Sequence, residues 1–170
     1  MPRQLLTTAD ILTILGATTE RIRQWVGGAA EAELHGHPAP GEWSATEILA
    51  HLRSCSDVWG GVIECILDQD HPTIRAVNPV TWIERTDYRE LKFHASLQAF
   101  SEQRTRHVRR IGSLSPRSWS RSATVLGGGK PLELTAHAYG ARWARHERVH
   151  WKQIQAALQR SSPGAKGTGS

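Results

Sequence analysis

Residues 146–150 read His-Glu-Arg-Val-His, two histidines four residues apart. In a helix of about 3.6 residues per turn, such a pair lies on one face and can converge on one point. Neutral imidazole is the commonest side-chain ligand of zinc and also suits nickel, iron and copper. His146 and His150 are therefore half of a metal site, although spacing alone equally allows two core or surface histidines. The same residues spell H-E-x-x-H, the pattern in which a zinc protease uses the glutamate as general base. Residues 151–170 hold no His, Asp or Glu, so a downstream third ligand has no candidate. No strand edge is evident to hold an extended peptide. A metalloprotease is thus the minor alternative, and Glu147 reads as solvated or as a partner behind the ligands.

A third histidine comes from upstream. Ser44 and Glu47 form a capping box, with Trp43 as the apolar staple before it. A helix is predicted from Ala45 to about Asp68, with Ile48, Leu52, Cys55, Trp59, Val62 and Ile66 as its stripe and Val58 and Ile63 beside it. His51 lies on the edge of that stripe, one turn after Ile48, facing the interior or a cleft. Three histidines leave coordination positions open for water and substrate, as catalytic rather than closed structural sites do.

Three more helices are expected around these. Thr7 and Asp10 cap a first one running to about Ala30, with Leu12, Leu15, Ile22, Trp25 and Val26 inward. Asp87 and Glu90 start a third, to about Ile111, with Leu91, Ala95, Leu97, Phe100, Val108 and Ile111 apolar. The fourth runs from near Leu132 to about Gln159, with Leu134, Ala138, Ala141, Val149, Ile154 and Leu158 apolar. The connections 69–86 and 112–131 are long loops, the first carrying Trp82 and Ile83 inward, the second holding a short extended piece at 123–126. No strand is convincing. The fold class is all-α, a four-helix bundle, in which sites are assembled in the core from facing helices. Residues 1–160 form one domain, and the Gly/Ser-rich 161–170 reads as a disordered tail.

The net charge is +5, with arginine well ahead of lysine. Six arginines and one glutamate fall in 101–121, including Arg104, Arg106, Arg109 and Arg110. Such a stretch can contact phosphate or draw an anionic thiol, but a solvated helix face is the simpler reading, and nucleic acid is not the expected partner. Cys55 and Cys65 on one helix stand about 15 Å apart along its axis, too far for a disulfide. Cys55 lies one turn after His51 and could approach a metal there, but a buried small apolar side chain is the better reading. No run reaches 18 apolar residues and no signal-type segment opens the chain, so a cytoplasmic protein without a membrane span is expected.

Residues 43–52, Trp-Ser-Ala-Thr-Glu-Ile-Leu-Ala-His-Leu, resemble the second-helix signature of the DinB-like (YfiT-type) metalloenzymes. Gly129-Lys130-Pro131-Leu132, followed by His146-x-x-x-His150-Trp151-Lys152-Gln153-Ile154, resembles the fourth-helix signature of the same family. The resemblance covers about residues 8–160. It implies a four-helix bundle of the DinB/YfiT-like type with long crossovers. It also implies a divalent metal, zinc or nickel, on three histidines whose positions His51, His146 and His150 match. Characterised relatives are thiol S-transferases or isomerases using a low-molecular-weight thiol, and some form dimers. The implied function is a thiol S-transferase or hydrolase acting on a small-molecule electrophile, with a homodimer as an expected partner. The alternative is a non-catalytic bundle that binds metal or anions. His35, His37, His94, His107 and His137 read as surface or partly buried residues. Glu47 is a candidate acceptor for the His51 ring N–H, though its capping role is better supported. Tyr139 and Trp143 line the pocket or belong to the plain core.

Overall fold

The structure, a computed structural model, describes residues 5–161. In chain order the helices begin with α1 (Thr8–Val26), α2 (Glu31–His35) and α3 (Ala45–Cys55). A π-helical turn (Ser56–Gly60) joins α3 to α4 (Gly61–Asp68), and strand β1 (Thr73–Arg75) and α5 (Pro79–Trp82) follow. The second half holds α6 (Phe93–Gly112), α7 (Pro116–Trp119), β2 (Ser122–Leu126), β3 (Leu132–Thr135) and α8 (Ala136–Ser161). The bundle is made by α1, the α3–α4 rod, α6 and α8. Both α1 and α3 pack against α6 and α8, which places α1 and α3 on one diagonal.

Both capping boxes form. Thr7 Oγ1 accepts from Asp10 N at 3.1 Å while Asp10 accepts from Thr7 N at 2.8 Å. Ser44 and Glu47 do the same at 3.2 and 2.8 Å. These exchanges satisfy amide donors that a helix start otherwise leaves unpaired. The core has two parts, one around Ile11, Leu15, Ile63, Ile66 and Trp143, the other around Ile22, Leu49, Leu52, Phe93, Phe100 and Ile154.

The second rod is not a uniform α-helix. Its π turn interrupts the α-helical ladder, and beyond it Ile63 and Ile66 are fully buried while Val62 is only half-buried. Within the turn, Asp57 accepts from Trp82 Nε1 at 3.1 Å, from Tyr88 Oη at 2.8 Å and from Gln103. One carboxylate thereby ties the 69–92 connection and α6 to the rod. Gly60 lies against the His107 ring, where a Cβ would come within 2.4 Å of ring carbon.

Several expected boundaries move. The structure adds a three-stranded sheet, with β1 parallel and β3 antiparallel to β2. The extended piece foreseen at 123–126 is β2, but Leu132–Thr135 was expected as helix and is strand. Gly127 and Gly129 take positive φ and turn the chain back, and Thr135 Oγ1 caps Ala138 N at 3.0 Å, so helix begins only at Ala136. α1 stops at Val26, before Gly27-Gly28, instead of reaching Ala30. The third helix starts at Phe93, not Asp87. Residues 87–90 form a turn, and Phe93 N is capped at 3.2 Å by Glu31 of α2, a partner 62 positions away. Val149, one of the apolar residues of the fourth helix, is 55% exposed. Of the expected tail, Ser161 is the last residue of α8 and the rest lies outside the described residues. Among the described residues no helix is long and apolar enough to cross a membrane.

Candidate metal centre

α3 and α8 bring the three predicted histidines together. His51 Nε2 stands 3.2 Å from His146 Nε2, and His150 Nε2 stands 3.0 Å from the same atom. The rings of His51 and His150 are 4.7 Å apart. Two nitrogens that share one ion at about 2.0–2.1 Å are separated by about 2.9–3.4 Å, depending on geometry. Trp43 presents its edge to His51 and stacks on His150, and Trp59 meets His146 edge-on at 4.8 Å.

The surroundings keep these imidazoles neutral. Burial pulls His51 down to about 4, with His150 adding to the effect. Burial, then His150, His51 and Arg142, pull His146 down to about 3. His150 is lowered by burial too, although its bond to Gln153 opposes the shift. Neutral rings have lone pairs to offer a metal. His150 Nδ1 lies 2.7 Å from Gln153 Oε1. An amide oxygen only accepts, so Nδ1 carries the proton and the lone pair of Nε2 faces the centre. A single N–H on His146 Nε2 can be aimed at only one of its two neighbours. Three convergent nitrogens thus hold more lone-pair density than that proton satisfies, and a divalent cation suits them. Buried His51 Nδ1 has no protein partner among the described residues, and Glu47 stays in its capping box instead of reaching it.

Glu147 corrects the expectation of a solvated residue. It is fully buried and ion-paired with Arg104 at 2.7 Å, both side chains at most 2% exposed. The same Oε1 accepts from Trp143 Nε1 at 3.1 Å, and Arg104 also donates to Ser56 Oγ at 2.8 Å. The glutamate of the H-E-x-x-H pattern is therefore turned into the bundle, clamped by a guanidinium, and cannot serve as the base of a zinc protease. Arg104, counted with the surface cations, is one of the largest buried side chains. Arg110 pairs with Asp68, and Arg121 Nε donates to the Ile66 carbonyl at 3.0 Å. Arg104, Arg110 and Arg121 of the basic run thus have structural partners.

The other histidines stay away from the centre. His35 and His37 are exposed beside Glu31 and Glu47, and His94 is exposed. His107 packs between Gly60, Glu64 and Trp143, and His137 meets Trp119 edge-on. Tyr139 and Trp143 are buried core. Cys55, expected as a small apolar filler, is fully buried but has polar neighbours. Its Sγ lies 3.6 Å from His51 Nε2 and 3.8 Å from His146 Nδ1. Burial, and then the Glu147 charge, push its thiol far above the usual range.

A cleft of about 650 Å³ opens on the centre, lined by His51, His146, Trp59, Pro79, Arg142 and Arg145. A second, of about 530 Å³, is bounded by Trp43, His150, Gln153 and Arg160. Residue spacing did not single out Gln153, Arg142 or Arg145. The available signal was helical: Gln153 lies three residues after His150, and Arg142 four before His146.

The sequence model of the DinB superfamily matches residues 14–154. Among solved structures the chain is similar to YfiT from Bacillus subtilis, described as a probable metal-dependent hydrolase with an unusual four-helix bundle topology. The identity is 18%, 94% of this chain and 92% of that chain are covered, and the TM-score is 0.76. No curated protein sequence matches the chain.

Proposed function

The chain belongs to the DinB superfamily, and from that premise we propose that it is a metal-dependent enzyme acting on small electrophiles, a hydrolase or thiol S-transferase with His51, His146 and His150 as ligands. The observation that carries the reading is the convergence of uncharged imidazole nitrogens, 3.0 and 3.2 Å apart, at the floor of an open cleft. The description of YfiT as a metal-dependent hydrolase supports the same direction.

A divalent ion on three imidazoles supplies a nucleophile at neutral pH, by lowering the pKa of water to about 7 or by holding a thiol as thiolate. The protein's own groups do the rest. Gln153 fixes the His150 tautomer. Trp43 and Trp59 shield the ligand rings from water on two sides. Arg142 lies over the Trp59 ring at 5.6 Å, and neither it nor Arg145 has a carboxylate partner among the described residues. These two cations suit an anionic group on the substrate or on the thiol. With Glu147 held by Arg104 inside the bundle, that carboxylate is not placed to deprotonate a nucleophile in the cleft.

Metal analysis of untagged protein is the first test. A stoichiometric divalent ion is expected, and it should be lost in His51→Ala. Absence of bound metal, together with a His51→Ala variant unchanged in metal content and stability, would end this reading. Hydrolysis of p-nitrophenyl esters, set against conjugation of a chloro-nitroaromatic with bacillithiol, mycothiol or glutathione, separates hydrolase from transferase.

A further inference from the structure

The three-histidine reading leaves Cys55 unused, yet its sulfur is as close to two of the rings as a ligand atom would be. A sulfur and a nitrogen held tetrahedrally by one ion, at about 2.3 and 2.0–2.1 Å, are about 3.6 Å apart. Cys55 Sγ is 3.6 Å from His51 Nε2 and 3.8 Å from His146 Nδ1. Donor atoms of His51, Cys55 and His146 all lie within 4.8 Å of one another. No side chain other than these two histidines is hydrogen-bonded to the Cys55 thiol among the described residues.

His146 decides how the two sets relate. Its Nε2 edge faces His51 and His150, while its Nδ1 edge faces Cys55. The two lone pairs of an imidazole point away from each other in the ring plane, so one ion cannot use both. We propose that the centre has a second donor set, His51 Nε2, His146 Nδ1 and Cys55 Sγ, which takes a thiophilic divalent ion in place of the set that includes His150. Soft sulfur ligands favour zinc and similar ions over hard cations. As the metal–sulfur bond forms, the thiol proton leaves to solvent, since a coordinated thiol is deprotonated. This mode exchanges His150, which borders a cleft, for a donor that is 0% exposed. The inference rests on the reading that His51 and His146 are metal ligands.

Cobalt(II) tests it without an activity assay. Stoichiometrically loaded wild-type protein should show an intense near-ultraviolet thiolate-to-cobalt band. The band should persist in His150→Ala and Cys65→Ala and vanish in both Cys55→Ser and Cys55→Ala. Cobalt bound by the wild type without the band overturns the sulfur set and leaves the three-histidine reading standing. A band surviving either Cys55 variant, or lost from His150→Ala with cobalt still bound, also overturns it. Wild-type protein that takes up no cobalt, zinc or cadmium sinks both readings.

Discussion

Replacing Glu147 by glutamine separates a structural role for this residue from a catalytic one. The carboxylate and the Arg104 guanidinium are 2.7 Å apart and at most 2% exposed. Removing one partner of such a buried pair costs about 3–5 kcal/mol, because the other charge stays buried and uncompensated. Glutamine keeps an oxygen that can accept from Trp143 Nε1 and Arg104, and Phe100 and Trp143 still face the guanidinium at 4.8 and 4.5 Å. The low end, about 3 kcal/mol, therefore applies. For a chain of this size each kcal/mol lowers Tm by about 2–4 °C, so a fall of about 6–12 °C is expected. Thermal and urea unfolding of Glu147→Gln measure it, with metal content and turnover taken well below the transition. The double variant Arg104→Leu/Glu147→Leu should recover much of the loss, since it buries no unpaired charge. An unchanged midpoint in Glu147→Gln, with turnover abolished at full metal content, would show Glu147 acting as a base and would refute this assignment.

Three further outcomes follow from named contacts. Gln153→Ala frees the His150 tautomer and should weaken metal affinity about 10–100-fold, read by chelator competition; unchanged affinity removes Gln153 from the site. Gly60→Ala places a Cβ within 2.4–2.8 Å of the His107 ring and should lower stability by about 1–3 kcal/mol, unless His107→Ala beside it restores the midpoint. In metal-free protein, His51 and His146 titrate near 4 and 3 when folded but near 6.5 when unfolded. The unfolded state therefore binds the extra protons. Stability should fall as pH drops below about 6.5, by up to about 1.4 kcal/mol per pH unit per histidine, until the folded values are passed. Denaturation midpoints that stay flat between pH 7 and 5 would contradict this.

The sequence by itself determined whatever depends on local chemistry. Thr7/Asp10 and Ser44/Glu47 mark two helix starts because their side chains satisfy amides three residues away. The 3.6-residue period places Ile48, His51, Leu52 and Cys55 on the inner half of one rod, and puts His146 and His150 on one face. Those features singled out all three histidines. The tertiary structure decided what depends on distant partners. Phe93 starts a helix because Glu31 caps it, and Leu132–Thr135 is strand because β2 pairs with it. The rod packs on α6 at Gly60 and His107, and that packing leaves Ile63 buried and Val62 half-buried. Glu147 is the sharpest case. Its place in an H-E-x-x-H pattern left it solvated or behind the ligands, but its burial and orientation depend on Arg104, 43 residues away, and on the interior that holds them together. Cys55 is the converse: its spacing predicted an apolar filler, and only the packing of α3 on α8 placed its sulfur beside two imidazole edges.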